Sequence, residues 1–316
     1  MRAILRKPVR TAAAGLAALL VALTGVVLLR AGTGRAASPS PTATATIEIG
    51  AVHGAASFTP ALEGKRPIFI LALGSDARPG QQILRERSDS IHIIGINLAT
   101  HHATLLGFPR DSWVSIPGFG TNKINSALVD GGPELMAKTL EAITGIHLDF
   151  WMITSFRGLT NMVNGIGGLT VDVPFPMHDV FSHANFKAGV QHITGKQALA
   201  FARNRHDTPD GDLTRTADQG ILFKAALSRL HTQFANDPGS IFNWISVGWS
   251  QVHSNLSVTT LLQLGLTATQ IPVANVNNLV VPATTGTVGA SSVVFITSAA
   301  KAVYADLKND GVVEHG

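Results

Sequence analysis

Residues 68–76 read IFILALGSD, and two further apolar runs follow: RSDSIHIIGINL at 87–98 and ATLLGFPRDS at 103–112. The unbroken run IFILAL before Gly74-Ser75 is expected of a strand buried on both faces, since an exposed face would bring alternation. The next two runs are separated only by Ala99-Thr100-His101-His102, a connection short enough to imply an antiparallel hairpin. Asp89 enters the first hairpin strand and Arg110 leaves the second, so both reach one edge of the sheet. If the 68–73 strand runs parallel to the second hairpin strand, Asp76 arrives there too. Open α/β sheets commonly hold ligands at such an edge. His101-His102, at the turn, is expected to be solvent-exposed.

Outward from this core, strands and helices mix. Ile124 to Ile143 holds two helical stretches around Asp130-Gly131-Gly132-Pro133, where Gly ends one helix and Pro starts the next. Phe150–Phe156 and Leu169–Val173 read as strands, with a short helix at Leu159–Val163 between them. Lys196–Ala202 is helical, and Thr214–His231 is amphipathic with Ile221, Leu222, Ala225 and Leu230 inward. Beyond these come helical Thr259–Thr269, strand-like Asn278–Val281 and helical Val294–Lys308. The pattern predicts an α/β fold: one three-layer α/β/α domain with a mixed central sheet, over residues 65–312.

Charge is scarce, at 14% of residues, and unevenly placed. The net +4 originates in residues 1–37, where Arg2, Arg6, Lys7, Arg10, Arg30 and Arg35 meet no acid; the remainder holds 18 basic against 20 acidic residues. A body without a basic surplus argues against nucleic acid as a partner. Thr11 to Leu29, TAAAGLAALLVALTGVVLL, is uncharged, and as a helix it would span roughly 28 Å of a ~30 Å hydrocarbon core. The basic flank makes residues 1–10 a cytoplasmic tail, 11–29 a single-pass transmembrane helix in the cell membrane and 30–64 a flexible linker. The domain would then be extracytoplasmic. A cleaved signal peptide is the other reading, with Ala36-Ala37 near the cleavage point. The absence of cysteine excludes disulfides, thiolate metal sites and cysteine nucleophiles.

Six of the few charges sit at the ends of apolar segments: Asp76, Asp89 and Arg110, then Arg203, Arg205 and Arg215. Two carboxylates from different loops can share Mg²⁺, which takes one or two carboxylates with phosphate oxygens and water. Each acid alone could instead cap a turn or a strand start. Arg110 can present its planar fork to phosphate, or pair with Asp89 or Asp111. Lys123, near a helix start, adds a point charge or is simply solvated. In ALAFARNRHDTPDGDLTRTADQ (198–219), Arg203 and Arg205 would point the same way if extended. Arg215 and Gln219 share a helical face, and Asp212 is placed to cap that helix or to orient an arginine. Carboxylates among several arginines suit a polyanion with a divalent metal. Nucleophile elbows, His-Glu-x-x-His helices and Walker A loops are absent from the sequence.

The ordered motifs GSD (74–76), RSDS (87–90), PRDS (109–112), KIN (123–125), FARNRH (201–206) and GDLTR (211–215) with Gln219 carry a resemblance. In these the chain resembles the LytR–CpsA–Psr family of cell-wall glycopolymer transferases over about residues 65–232. The resemblance implies transfer of a glycopolymer phosphate from a polyprenyl-diphosphate carrier to peptidoglycan, releasing polyprenyl phosphate. It implies Mg²⁺ or Mn²⁺ on Asp76 and Asp89, and catalytic roles for Asp89 and Arg110. Arg87, Arg110, Lys123, Arg203, Arg205, Arg215 and Gln219 would form the diphosphate site, and the lipid would need an apolar groove within the layers. Family members often carry a basic residue where this chain has Asp218, which weakens diphosphate binding or lies outside the pocket. The same metal site with water as acceptor would make a lipid-diphosphate hydrolase; binding without turnover would make an extracytoplasmic polyprenyl-phosphate-binding regulator.

Overall fold

The computed structural model describes Leu62 and residues 67–208 and 210–314. The expected cytoplasmic tail, membrane anchor and linker, Leu62 apart, lie outside the described residues. Among the described residues, no helix is long and apolar enough to cross a membrane.

The three opening runs become β1 (Ile68–Ser75), β2 (Ser88–Asn97) and β3 (His102–Gly107), adjacent and antiparallel in turn. A two-stranded ribbon, β4 (Trp113–Ile116) with β5 (Gly120–Lys123), leads into α1 (Ser126–Thr144). That helix breaks at Gly132, whose φ of 75° suits a residue without a side chain, just before Pro133. β6 (Phe150–Ser155) returns to the sheet parallel to β1 and passes directly into α2 (Phe156–Gly165), capped by Ser155. β7 (Leu169–Val173) pairs with β10 (Gly189–Ile193), and between them lies the small hairpin β8 (Met177–Asp179) and β9 (Ala184–Phe186). Four helices and two strands follow: α3 (Gly195–Arg203), α4 (Asp212–Asn236), α5 (Ser240–Gln251), β11 (Val252–Ser254), α6 (Val258–Ala268) and β12 (Val276–Val280). The chain closes with the hairpin β13 (Ala283–Val288) and β14 (Ser291–Ile296), then α7 (Ala300–Asp310).

The central sheet is mixed, in the order β11-β6-β1-β2-β3-β12. Alternate residues of β1 supply two different cores, as a strand covered on both faces requires. Phe69, Leu71 and Leu73 pack with Met136 and Leu140 of α1 and Tyr304 and Leu307 of α7. Ile68 and Ile70 pack with Leu264 of α6 and Leu227 of α4. A third core joins α2, α3 and α4 to the β7–β10 pair through Val163, Phe201, Leu222 and Leu169. Two sequence expectations are corrected. Val294–Ile296 is strand, not helix: SSVVFI at 291–296, with β-branched Val293, Val294 and Ile296, pairs with β13, and the helix starts only at Ala300. His101 is half-buried with a left-handed φ of 56°, and its Nδ1 lies 3.1 Å from Gln270 O, so the turn is packed against α6's end.

Candidate functional site

Several strand ends meet at one edge of the central sheet. β1, β3 and β6 run the same way and β2 runs against them. Asp76 after β1, Arg110 after β3 and Ser155 ending β6 therefore share the edge at which β2 begins. Asp89 is aimed by a β-bulge: Gly74 pairs with Ser90 and Ser75 with Ser88, which leaves Asp89 as the extra residue. A bulge turns one side chain out of the ladder. Here Arg110 Nη1 donates to Asp89 Oδ1. Gly74 leaves room beside the bulge, since a Cβ there would stand 3.0 Å from Ser90 Cβ.

α4 supplies a second wall. Its Thr216 occupies the space above Gly107, where an added Cβ would lie 2.5 Å from Thr216 Cγ2. The helix is thereby seated close on the sheet, and Arg215 and Gln219, one turn apart, both reach the rim. Gln219 Nε2 donates to Asp89 O at 3.1 Å and to Ala202 O at 3.0 Å, joining β2, α3 and α4. Of the two roles open to Asp212, orientation is the one observed: its Oδ1 accepts from Arg215 Nη2, while Gly211 holds the N-cap position. Ser75, rather than Asp76, closes the turn after β1, its Oγ accepting from Ala77 N at 3.3 Å.

The expectation of an extended Arg203–Arg205 segment is corrected. Arg203 is the last residue of α3, its guanidinium 4.8 Å from the Phe156 ring centroid, and Asn204 after it is extended. Arg205 is set by a buried clamp instead. Asp179 Oδ2 accepts from Arg205 N at 3.3 Å, from His206 N at 3.4 Å, and lies 3.0 Å from His206 Nδ1. Lys123 joins the rim through Asp111: its Nζ is 3.1 Å from Asp111 Oδ2, whose Oδ1 is 3.8 Å from Arg110 Nε. Arg87 is exposed, and its backbone oxygen accepts from Asp76 N at 2.9 Å.

The charges act on one another. Burial raises the Asp76 pKa, Asp89 and Glu86 raise it further, and Arg110 and Arg87 oppose them. Burial works against the Arg110 charge, yet Asp89, Asp212 and Asp111 outweigh it and raise the pKa. Arg215 moves the other way: burial lowers its pKa and Arg110 and Arg205 add to this, against Asp212 and Asp89. Arg110 Nε and Arg215 Nε are buried donors without an acceptor among the described residues. Such a donor costs about 1–3 kcal/mol, so both suit an incoming anion. Among the described residues no cluster of three or more His, Asp or Glu could hold a metal. A cation at Asp76 and Asp89 would complete its shell with phosphate and water, as Mg²⁺ readily does.

Beside the rim lies a cavity of about 240 Å³, which sequence reading anticipated only as a requirement. Asp89, Arg203 and Gln219 line it together with Leu159, Leu222, Trp244 and Val247. On the scale at which a cavity of about 150 Å³ takes one benzene, it has room for roughly ten hydrocarbon carbons. Its walls come from strands and helices far apart in sequence, and helix α5, which supplies Trp244 and Val247, carried no distinctive signal. Asp218 does not line this cavity. It is 2% exposed, and burial, with Asp207 nearby, pushes its carboxyl up to about 7.

The mixed α/β sheet thus carries a rim of two carboxylates and several arginines next to an apolar cavity. The chain belongs to the LytR_cpsA_psr family, whose model matches residues 37–309. It is 37% identical over 185 residues to the probable cell wall biosynthesis protein LcpB of Corynebacterium glutamicum, covering 55% of this chain and 43% of that protein. It is 30% identical over 210 residues to the polyisoprenyl-teichoic acid–peptidoglycan teichoic acid transferase TagV of Bacillus subtilis, covering 63% of this chain and 52% of that protein. The crystal structure of B. subtilis TagV matches the fold with a TM-score of 0.66 at 26% identity, over 76% of this chain and 94% of that one. The chain spans about half the length of these curated relatives.

Proposed function

We propose that the protein transfers a glycopolymer phosphate from a polyprenyl-diphosphate carrier to a peptidoglycan hydroxyl and releases polyprenyl phosphate. The observation that carries this is the meeting of Asp89, Arg203 and Gln219 with an apolar cavity in one lining. A headgroup that is anionic and a tail that is hydrocarbon need these two materials side by side. The similarity to a transferase described as moving teichoic acid from a polyisoprenyl carrier to peptidoglycan supports the same direction. Anchoring by residues 11–29, with the domain extracytoplasmic, would hold the site next to the carrier.

Arg110 and Arg215 would hold non-bridging phosphate oxygens through donors that are otherwise unsatisfied, with Arg203 and Arg205 adding charge. In the transfer, the acceptor hydroxyl oxygen bonds to the phosphorus carrying the glycan and gives up its proton to solvent, while the bond from that phosphorus to the bridging oxygen breaks and its electron pair leaves on polyprenyl phosphate. The arginines stabilise charge developing on the leaving phosphate, which is catalysis by positioning and electrostatics. Asp76 and Asp89 would hold Mg²⁺ or Mn²⁺, which neutralises phosphate charge when bound. Asp89, which also pairs with Arg110, would hold that guanidinium toward the diphosphate.

The test combines purified protein, a lipid-diphosphate sugar and peptidoglycan fragments, with products read by mass spectrometry. Transfer should require Mg²⁺ or Mn²⁺, stop on chelation, and nearly vanish in Asp89→Ala and Arg110→Ala. Full transfer by both variants would overturn the site. Phosphorylated glycan released equally without acceptor would make the protein a hydrolase, and carrier binding without turnover under any metal would make it a regulator.

A further inference from the structure

A second cavity, of about 740 Å³, shares Ser155 and nothing else with the apolar one. It falls within the range of roughly 300–1,000 Å³ typical of small-ligand sites. Its material is different. Trp151 of β6 and Trp249 of α5 line it with Arg157, Asn161, Gln251 and His253, and no carboxylate is among its lining residues. α5 separates the two spaces, giving Trp244 and Val247 to the first and Trp249, Ser250 and Gln251 to the second. The second space also begins close to the rim. Ser155 is the register partner of Ser75, about one strand spacing (~4.8 Å) away, and Asp76 follows Ser75 directly.

From this arrangement we infer that the second cavity binds a saccharide, so that sugar is delivered to the rim from the side opposite the lipid compartment. A pyranose ring presents an apolar face of C–H groups and a rim of hydroxyls. Indole rings match the face, and side-chain amides, which both donate and accept, match the rim. The amides are already ordered: Asn161 Nδ2 donates to Gln251 Oε1 at 2.9 Å, and Gln251 Nε2 donates to Ser250 Oγ at 3.1 Å. The backbone behind them is pinned, with Thr154 Oγ1 donating to Gln251 O at 2.9 Å and Trp151 N to Asn255 Oδ1 at 2.9 Å. Trp249 is 48% exposed, so its indole face is open for a ring to stack on. Arg157 is exposed and has no ion-pair partner among the described residues, so the site accepts neutral or acidic sugars. A lipid surface fits less well, because most of the lining side chains are polar. The inference deepens the transferase reading, under which the sugar belongs either to the peptidoglycan acceptor or to the glycan on the donor.

The experiment uses the full chain in detergent and isothermal titration calorimetry. The probes are an N-acetylglucosamine tetrasaccharide, a soluble disaccharide-peptide from peptidoglycan, and farnesyl diphosphate. The native protein should bind at least one saccharide probe. Trp249→Ala and Asn161→Ala should each weaken that binding by about tenfold or more and leave farnesyl diphosphate affinity unchanged. Both side chains are exposed, and circular dichroism checks that the variants fold. Saccharide binding equal in native and variant protein overturns the inference. So does absence of saccharide binding in the native chain, or a Trp249 dependence seen only with phospholipid vesicles. Farnesyl-diphosphate-linked N-acetylglucosamine then separates the sources: competition with the saccharide assigns the cavity to donor sugars, and simultaneous binding assigns it to the acceptor. Because binding is read directly, a chain that fails to transfer but loses saccharide in Trp249→Ala keeps this site while losing the transferase reading.

Discussion

Replacing Asp218 with Asn should stabilise the protein, and increasingly so as the pH rises. Asp218 is buried on α4, its Oδ2 has no hydrogen-bond partner among the described residues, and its pKa goes from 3.8 to about 7, through burial first and Asp207 second. The sign follows from linkage. Between these two values the folded state keeps the proton that the unfolded state has lost, so stability falls as pH rises, and the loss is complete above the folded pKa. At 1.36 kcal/mol for each pKa unit, the full penalty is at most about 4 kcal/mol. The amide has the same shape as the carboxyl and does not titrate. The stability gap between the Asp218→Asn variant and the native chain should therefore be small near pH 4. It should widen by about 3 kcal/mol between about pH 5 and about pH 8 and then level off. Urea unfolding of the detergent-purified chain, followed by tryptophan fluorescence across that range, measures it. A gap that stays constant from pH 5 to pH 8, or that narrows, would refute a buried, neutral Asp218.

Asp179→Asn tests the clamp on Arg205 and His206. Burial pushes the Asp179 pKa up, but hydrogen bonds from His206, Phe181 and Arg205 together outweigh it and hold the carboxyl below its usual range. Its contribution is therefore present above about pH 4 and lost in acid. The variant should be less stable by about 2 kcal/mol at neutral pH, with the difference closing in acid denaturation monitored by circular dichroism. Gly220→Ala should unseat α4, because its Cβ would fall 1.8 Å from Asn278 Oδ1; a loss of about 1–3 kcal/mol and a Tm lower by several degrees are expected in calorimetry. Ala226→Phe should fill part of the apolar cavity that Ala226 lines. Displacing about four methylenes' worth of burial weakens long-chain prenyl diphosphates by about two hundredfold, while dimethylallyl diphosphate binds unchanged in a competition titration.

The amino-acid sequence determined the elements whose signal is local and the edge on which their charges lie. IFILAL needed burial on two faces, and the four-residue link at 99–102 made a hairpin that carried Asp89 and Arg110 to a common rim; Asp76 joins them because β1 runs antiparallel to β2, which the pairing of the strands decides. The spacing of Arg215 and Gln219 was likewise sufficient to put them on one face of a helix. Tertiary structure alone decided how that rim works. The bulge that aims Asp89 exists only in register against Gly74 and Ser75, and the contact from Gln219 to Asp89 spans 130 positions of chain. Arg203 and Arg205 would share a direction only if extended; α3 instead runs on through Arg203, and Arg205 is held by an Asp179 that lies 26 positions away. Both cavities, and the raised pKa of Asp218, follow from which side chains are packed together and which are left without water. Periodicity reports the face a residue occupies; it carries no information about the neighbour that the fold brings to that face.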